Sequence, residues 1–189
     1  RYAQTGLPGK EKTISLELRL IAEIGLIGLP NAGKSTLLKA ITRANPKIAD
    51  YPFTTLFPNL GVLKYIDREI VLADIPGLIE GASSGHGLGA DFLRHVDRTK
   101  ILLHLVDGSL KEPEQCWNEF ETINKELKQS SYNLEQKPTI VVITKIDMID
   151  EAKLKEIQQH FKANKIETLA ISSFSQKGLE NLKNRIILI

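Results

Sequence analysis

The sequence predicts an α/β fold in which a mostly parallel sheet is covered by helices on both faces, and three observations carry that expectation. Short apolar runs recur along the chain, and amphipathic stretches of about 10 to 15 residues separate most of them. Several runs end in Asp or Gly, the punctuation expected at the C-terminal ends of strands. Between the first such run and the first amphipathic stretch lies Gly28-Leu29-Pro30-Asn31-Ala32-Gly33-Lys34-Ser35, which fits G-x-x-x-x-G-K-[ST] at every position and is followed by Thr36.

In chain order, residues 1–13 hold Gly6, Pro8 and Gly9 among alternating charges and read as a linker or the junction from a preceding domain. Residues 14–189 then form the domain proper. Ile14, Leu16, Leu18 and Leu20 alternate with polar residues, a half-buried strand that leads into the fully apolar run Leu20 to Ile27. Ser35 to Arg43 places Leu37, Leu38 and Ile41 at helical spacing. Prolines 46, 52 and 58 make the following segment unfit for a regular helix or a central strand. Leu60 to Tyr65 and Arg68 to Ala73 read as adjacent strands, the second ending in Asp74-Ile75-Pro76-Gly77. Gly81 to Gly89, with four glycines and two serines, reads as a mobile loop before a helix over Ala90 to Arg98.

Ile101 to Val106 is a buried strand ending at Asp107-Gly108, and Pro113 to Lys128 is an amphipathic helix with Pro113 suited to its first turn. After a polar connection over 129–137, Thr139 to Ile143 is a strand that delivers Thr144-Lys145-Ile146-Asp147. A helix over Asp150 to Phe161, a strand over Thr168 to Ile171 and a helix over Leu179 to Ile187 complete the pattern.

Composition excludes several classes. With 42% hydrophobic and 25% charged residues the chain has the balance of a globular domain, and 25 basic against 23 acidic residues do not by themselves announce nucleic acid. A single cysteine, Cys116, allows no internal disulfide, reads as a half-buried bystander and favours a reduced, cytoplasmic setting. No apolar run is long enough to span a membrane. The chain opens on Arg1 and not on Met, so it is read as a fragment or processed product.

The glycine-rich segment sits in the one context that gives it chemical meaning: strand, loop, helix. Its glycines let successive amides wrap a pyrophosphate, and the new helix adds its positive end. Lys34 is placed to reach the terminal phosphates and Ser35 to bind magnesium. Asp74 can hold a magnesium-bound water, Gly77 can offer its amide to the last phosphate, and Thr55 is a loop hydroxyl suited to closing over the metal. Asp147 can accept both the ring and exocyclic N–H groups of guanine, which adenine cannot match. Lys145 can lay its stem along the base and cap the phosphate loop, and the amides of Ser172 and Ser173 can donate to the guanine oxygen. Each signal has a plainer reading: a glycine turn, an Asp-bearing turn, a serine pair in a loop. A kinase or ATPase is the enzymatic alternative, and Asp147 speaks against it.

Taken together, the stretches Leu18 to Leu37, Tyr51 to Gly61 and Asp74 to Ala82, with Gly85, Gly87, Leu88, Gly89, Phe92, Leu93, Arg94 and His95, resemble the Obg family within the P-loop GTPases. The likeness runs from about Thr13 to Leu182. It implies the three-layer fold of a GTPase (G) domain and a magnesium-dependent GTP/GDP switch involved in assembly of the large ribosomal subunit, with links to stress-nucleotide signalling. It also implies flanking domains beyond 14–189. By the same resemblance Thr55 is the first-switch threonine, and the nucleotide-binding set takes in Gly28 to Thr36, Phe53, Thr54, Thr55, Asp74, Ile75, Pro76, Gly77, Thr144, Lys145, Asp147, Met148, Ser172, Ser173 and Phe174. Ser35, Thr55 and Asp74 are the metal ligands, and Lys34, Thr55, Gly77 and Asn31 the catalytic group.

One departure stands out. Thr144 occupies the place of a family asparagine, which keeps only part of the amide's bonding capacity. Leu78 stands where many regulatory GTPases have a water-orienting glutamine, so intrinsic hydrolysis is expected to be slow, or absent in a nucleotide-gated scaffold. Asn31 either ligates a potassium ion that assists hydrolysis or only bonds within its loop. Lys39, Arg43, Arg94, Arg98 and Lys100 are candidates for rRNA contact, with a solvated face as the plain alternative.

Overall fold

Strand β1 (Ile24–Ile27) is buried at all four positions and lies in the middle of a seven-stranded sheet. A continuous apolar run is what a parallel strand covered on both faces requires. The computed structural model describes residues 9, 11–13, 22–42, 47–48, 59–65, 68–75, 93, 96–110, 112–129 and 134–188. The expected strand over 14–20, the loop over 49–58 and the segment 76–92 lie outside them, as do Phe53, Thr54, Thr55, Pro76, Gly77 and Leu78.

After β1 come α1 (Lys34–Ile41), β2 (Lys47–Ile48), β3 (Asn59–Tyr65), β4 (Arg68–Asp74) and β5 (Ile101–Asp107). Then follow α2 (Pro113–Gln129), β6 (Thr139–Thr144), α3 (Glu151–Ala163), β7 (Thr168–Ala170) and α4 (Leu179–Ile187). The strand order is β2-β3-β4-β1-β5-β6-β7. Strands β4, β1, β5, β6 and β7 are parallel, whereas β3 runs antiparallel to both β2 and β4.

The period of two residues along each strand sorts its side chains between two cores. Ile24 and Leu26 of β1, with Leu103 and Leu105 of β5, meet Leu37, Leu38 and Ile41 of α1 and Leu179, Leu182 and Ile186 of α4. On the opposite face Ile27 and Leu102 pack with Ile123 and Leu127 of α2, while Val106, Val141 and Ile143 pack with Phe120 of α2 and Ile157 and Phe161 of α3. Each such fully buried Leu or Ile stabilises the fold by about 1.5–3 kcal/mol. Trp117, Phe120 and Phe161 join α2 to α3 through ring contacts of 5.3–5.4 Å between centroids.

Three details differ from the sequence reading. Cys116 is fully buried, not half-buried: its thiol donates to the Asp107 carbonyl at 3.3 Å, and burial raises its pKa to about 11. The helix expected from Asp150 begins at Glu151, because the Asp150 carboxylate caps it by accepting the Lys153 N–H at 2.8 Å. The proline-bearing segment after α1 contributes Lys47–Ile48 as a strand, at the sheet edge where missing ladder donors are tolerated. No helix among the described residues is long and apolar enough to cross a membrane.

Candidate nucleotide-binding site

The C-terminal ends of β1, β4, β5 and β6 bring the candidate residues to one edge of the sheet, where ligands of doubly wound folds bind. The loop after β1 keeps a shape that depends on glycine. At Gly28 φ is +153°, and a Cβ would lie 2.6 Å from the Leu105 carbonyl oxygen. Gly33 has φ +94° and opens α1 without a side-chain cap, which leaves the first amides of that helix facing the loop. Asn31 is exposed with φ 65°, Pro30 and Thr36 are exposed, and Leu29 packs partly against the core.

Lys34 folds back over this loop and donates to the carbonyls of Gly28 at 2.8 Å and Leu29 at 3.0 Å. Burial lowers its pKa, and the negative charges of Asp74 and Glu119 work in the opposite direction. The ammonium thus sits at the mouth of the amide nest, where a phosphate can take over from the carbonyls. The Ser35 hydroxyl donates to Asp74 Oδ2 at 2.5 Å. A hydroxyl and a carboxylate converging from α1 and β4 fit a hard divalent ion such as magnesium, which takes few protein oxygens and completes its shell with phosphate and water. Ile75 contributes differently from expectation: its side chain is fully buried in the core and its N–H is donated to the Leu26 carbonyl at 3.3 Å.

Thr144 ends β6 and ties three elements together. Its Oγ1 lies 2.9 Å from the Ala32 carbonyl of the phosphate loop and 3.1 Å from the Val106 carbonyl of β5. The brace to the phosphate loop is therefore kept despite the missing amide, but a hydroxyl has one proton for these acceptors and none left for a base. Replacing it (Thr144→Asn) is expected to tighten guanine nucleotides by about three- to tenfold, because an amide adds a second donor and an acceptor. Calorimetric titration of both forms with GDP checks this, and unchanged affinity would mean the hydroxyl already does all an amide could.

The turn Ile146–Met148 follows, entered through Lys145 in the left-handed region at φ 57°. Asp147 is exposed, and Met148 and Phe174 are two of the three exposed large apolar side chains among the described residues, at 66% and 89%. The turn is fixed to the loop after β7 by the bond from Ile146 N to the Ile171 carbonyl. The Lys145 ammonium is 2.5 Å from Asp107 Oδ2. Ser172 also departs from expectation. Its N–H is donated to the Lys177 carbonyl at 2.9 Å and its Oγ accepts from Ser175 N, so Ser173 is the member of the pair whose N–H has no acceptor among the described residues.

Of the basic residues, Lys39 is exposed and Lys100 pairs with Glu23 at 3.6 Å, while Arg43 and Arg94 lie outside the described residues. His104 of β5, which has no cluster of metal-ligating residues at suitable spacing in the sequence, stacks on Phe120 at 4.9 Å with Nδ1 buried and without a partner among the described residues. Burial, with a smaller effect from Lys34, lowers its pKa from 6.5 to about 3. The neutral ring is thus folded-state chemistry: the unfolded chain binds a proton below pH 6.5 that the folded chain refuses, so stability falls with pH from 6.5 towards 3. Between pH 7 and 4.5 this histidine is expected to cost about 2–3 kcal/mol, and His104→Leu should remove that part of the acid sensitivity in denaturant titrations.

Residues 23–145 match the family described as 50S ribosome-binding GTPase. The chain is 54% identical over 187 residues to GTPase Obg of Aquifex aeolicus, covering 96% of this chain and 54% of that protein. It spans about half the length of the curated relatives it matches. Among solved structures, the G domain of the T. maritima FeoB iron transporter superposes with a TM-score of 0.62 at 26% identity, covering 88% of this chain and 96% of that one. A variant of Aquifex aeolicus Era bound to GDP and AlF4− superposes with a TM-score of 0.63 at 27% identity, covering 86% of this chain and 55% of that one.

Proposed function

Because this chain belongs to the Obg family of GTPases, we propose that it is a magnesium-dependent, slowly hydrolysing GTP/GDP switch that works in the cytoplasm on the large ribosomal subunit or its precursor. The observation that carries this reading is the hydroxyl bond from Thr144 to the Ala32 carbonyl, which joins the phosphate loop to the turn bearing Asp147. This bond supports the reading that phosphate holding and base reading are parts of one site. Such coupling is what a guanine-specific switch needs.

In that site the amides from Leu29 to Thr36 and the Lys34 ammonium receive the phosphates, and Asp147 accepts from the guanine edge while Ser173 donates to its oxygen. Magnesium, when bound to Ser35 and Asp74, would neutralise charge on the terminal phosphates. Thr55 is proposed to close over the metal and Gly77 to sense the last phosphate through its amide. Phe53, Thr54 and Pro76 are proposed to join the nucleotide-binding set, and Met148 and Phe174 to shield the base. Attack of water on the terminal phosphorus breaks its bond to the bridging oxygen and releases inorganic phosphate, leaving GDP. Lys34 stabilises the charge that develops on that oxygen.

Leu78 favours a second reading, a nucleotide-gated scaffold with no significant turnover, because a leucine cannot orient water. Single-turnover GTP hydrolysis, measured with and without large ribosomal particles, separates the two. The switch reading expects slow release of phosphate that the particles accelerate, and no phosphate under either condition would leave only the scaffold. The same assay addresses Asn31, which is exposed in the loop and is proposed to ligate potassium. Faster turnover in potassium than in sodium at equal ionic strength, lost in Asn31→Ala, is expected if the ion assists; equal rates would assign stimulation to the ribosomal partner. Contact with rRNA through Lys39, Arg98 and Lys100 belongs to the same proposal.

A further inference from the structure

The end of β5 holds a charged group to which the proposed reaction gives no role. Asp107 is paired in register with Thr144, is 9% exposed, and points its carboxylate at the residue after that partner. Its Oδ2 lies 2.5 Å from the Lys145 ammonium, and its Oδ1 accepts the N–H of Ser109 at 2.9 Å and the Ser109 hydroxyl at 2.6 Å. From the other side Asp107 donates its own N–H to Glu119 Oε2 on α2 at 3.3 Å. The carboxylate is therefore fixed by a turn, a strand pairing and a helix before it meets the lysine. Lys145 itself is held at φ 57°, a conformation that a long side chain adopts only at a cost.

We propose that Asp107 is the positioning residue of the base-reading turn: its pairing with Lys145 holds that residue in the left-handed conformation from which Asp147 is presented to the purine edge. The proposal rests on the guanine-reading site described above. Lys145 is the hinge between β6 and the turn Ile146–Met148, so the direction of Asp147 follows from the backbone angles at 145. A two-point reading of guanine by one carboxylate is sensitive to that direction, whereas phosphate holding by the loop after β1 is not. Asp107 thus acts on base discrimination through Lys145, without touching the nucleotide.

Competition between fluorescent GDP and unlabelled GDP or IDP, carried out on the whole chain, tests this, because inosine lacks the exocyclic amine that the second contact of Asp147 requires. Asp107→Asn keeps an oxygen for the Ser109 turn and removes the charge facing Lys145. It is expected to lower the ratio of GDP to IDP affinity by about fivefold, because only part of the pairing energy reaches Asp147. Lys145→Met should do the same, and the doubly substituted chain should be no worse than either alone. An unchanged ratio in a folded Asp107→Asn chain, or full additivity of the two changes, would overturn the assignment. If Asp107→Asn does not fold, Lys145→Met decides by the same ratio. An unsubstituted chain that binds GDP and IDP equally would instead remove the base-reading site, which is a separate failure.

Discussion

Replacing Lys34 with alanine (K34A) is expected to lower affinity for both GTP and GDP by about 100-fold or more, with the domain still folded. Among the described residues the ammonium is the one cationic side chain bonded within this loop, at 2.8 and 3.0 Å to the Gly28 and Leu29 carbonyls. A phosphate arriving there exchanges those neutral acceptors for charged oxygens, so the gain on binding is large. Losing the two carbonyl bonds costs the fold much less, about 1–2 kcal/mol before the relief of removing a partly desolvated cation is counted. The β1, β4 and β5 core beneath the loop contains none of Lys34. Calorimetry and a thermal melt run on the same sample separate the two effects, and near-normal GDP affinity in a folded K34A chain would remove the phosphate-loop assignment.

The second large effect is a change of base preference. Asp147→Asn (D147N) is expected to weaken GTP by about 100-fold or more and to turn preference towards XTP. The carboxylate is an acceptor only, matched to two N–H donors of guanine; an asparagine offers a donor where xanthine has a carbonyl. Asp147 is exposed on the turn after β6, so the exchange removes no core contact. Steady-state competition of GTP and XTP measures it. Undiminished preference for GTP would mean that another group reads the base.

Much of this arrangement was legible in the sequence because it is carried by local patterns. The apolar run ending at Ile27, the glycine loop and the helical spacing of Leu37, Leu38 and Ile41 mark strand, loop and helix within some 20 residues. Asp74 and Asp147 could be placed near that loop because both follow strands, and strand ends collect at one edge of such a sheet. What escaped depends on pairing between distant strands. Asp107 and Lys145 are 38 positions apart and meet because β5 lies beside β6 in one register. The signal was there in an Asp-Gly at a strand end, but sequence gives no strand order. Ser172 was misjudged for a related reason: the loop that returns to α4 brings the Lys177 carbonyl onto its N–H, an occupancy visible only after the turn is folded. Burial of Cys116 and His104 follows from which face of α2 and β5 turns inward, and a short apolar run does not disclose its neighbours.

By this proposal one site holds phosphate through the loop after β1 and reads guanine through the turn after β6. Calorimetric titration of the unsubstituted chain with GDP, XDP and ADP in magnesium tests that most directly. GDP is expected to bind at one site per chain at least about 100-fold more tightly than XDP or ADP. ADP binding with the affinity of GDP would contradict the account, because a site whose base contacts converge on Asp147 cannot accept adenine and guanine alike.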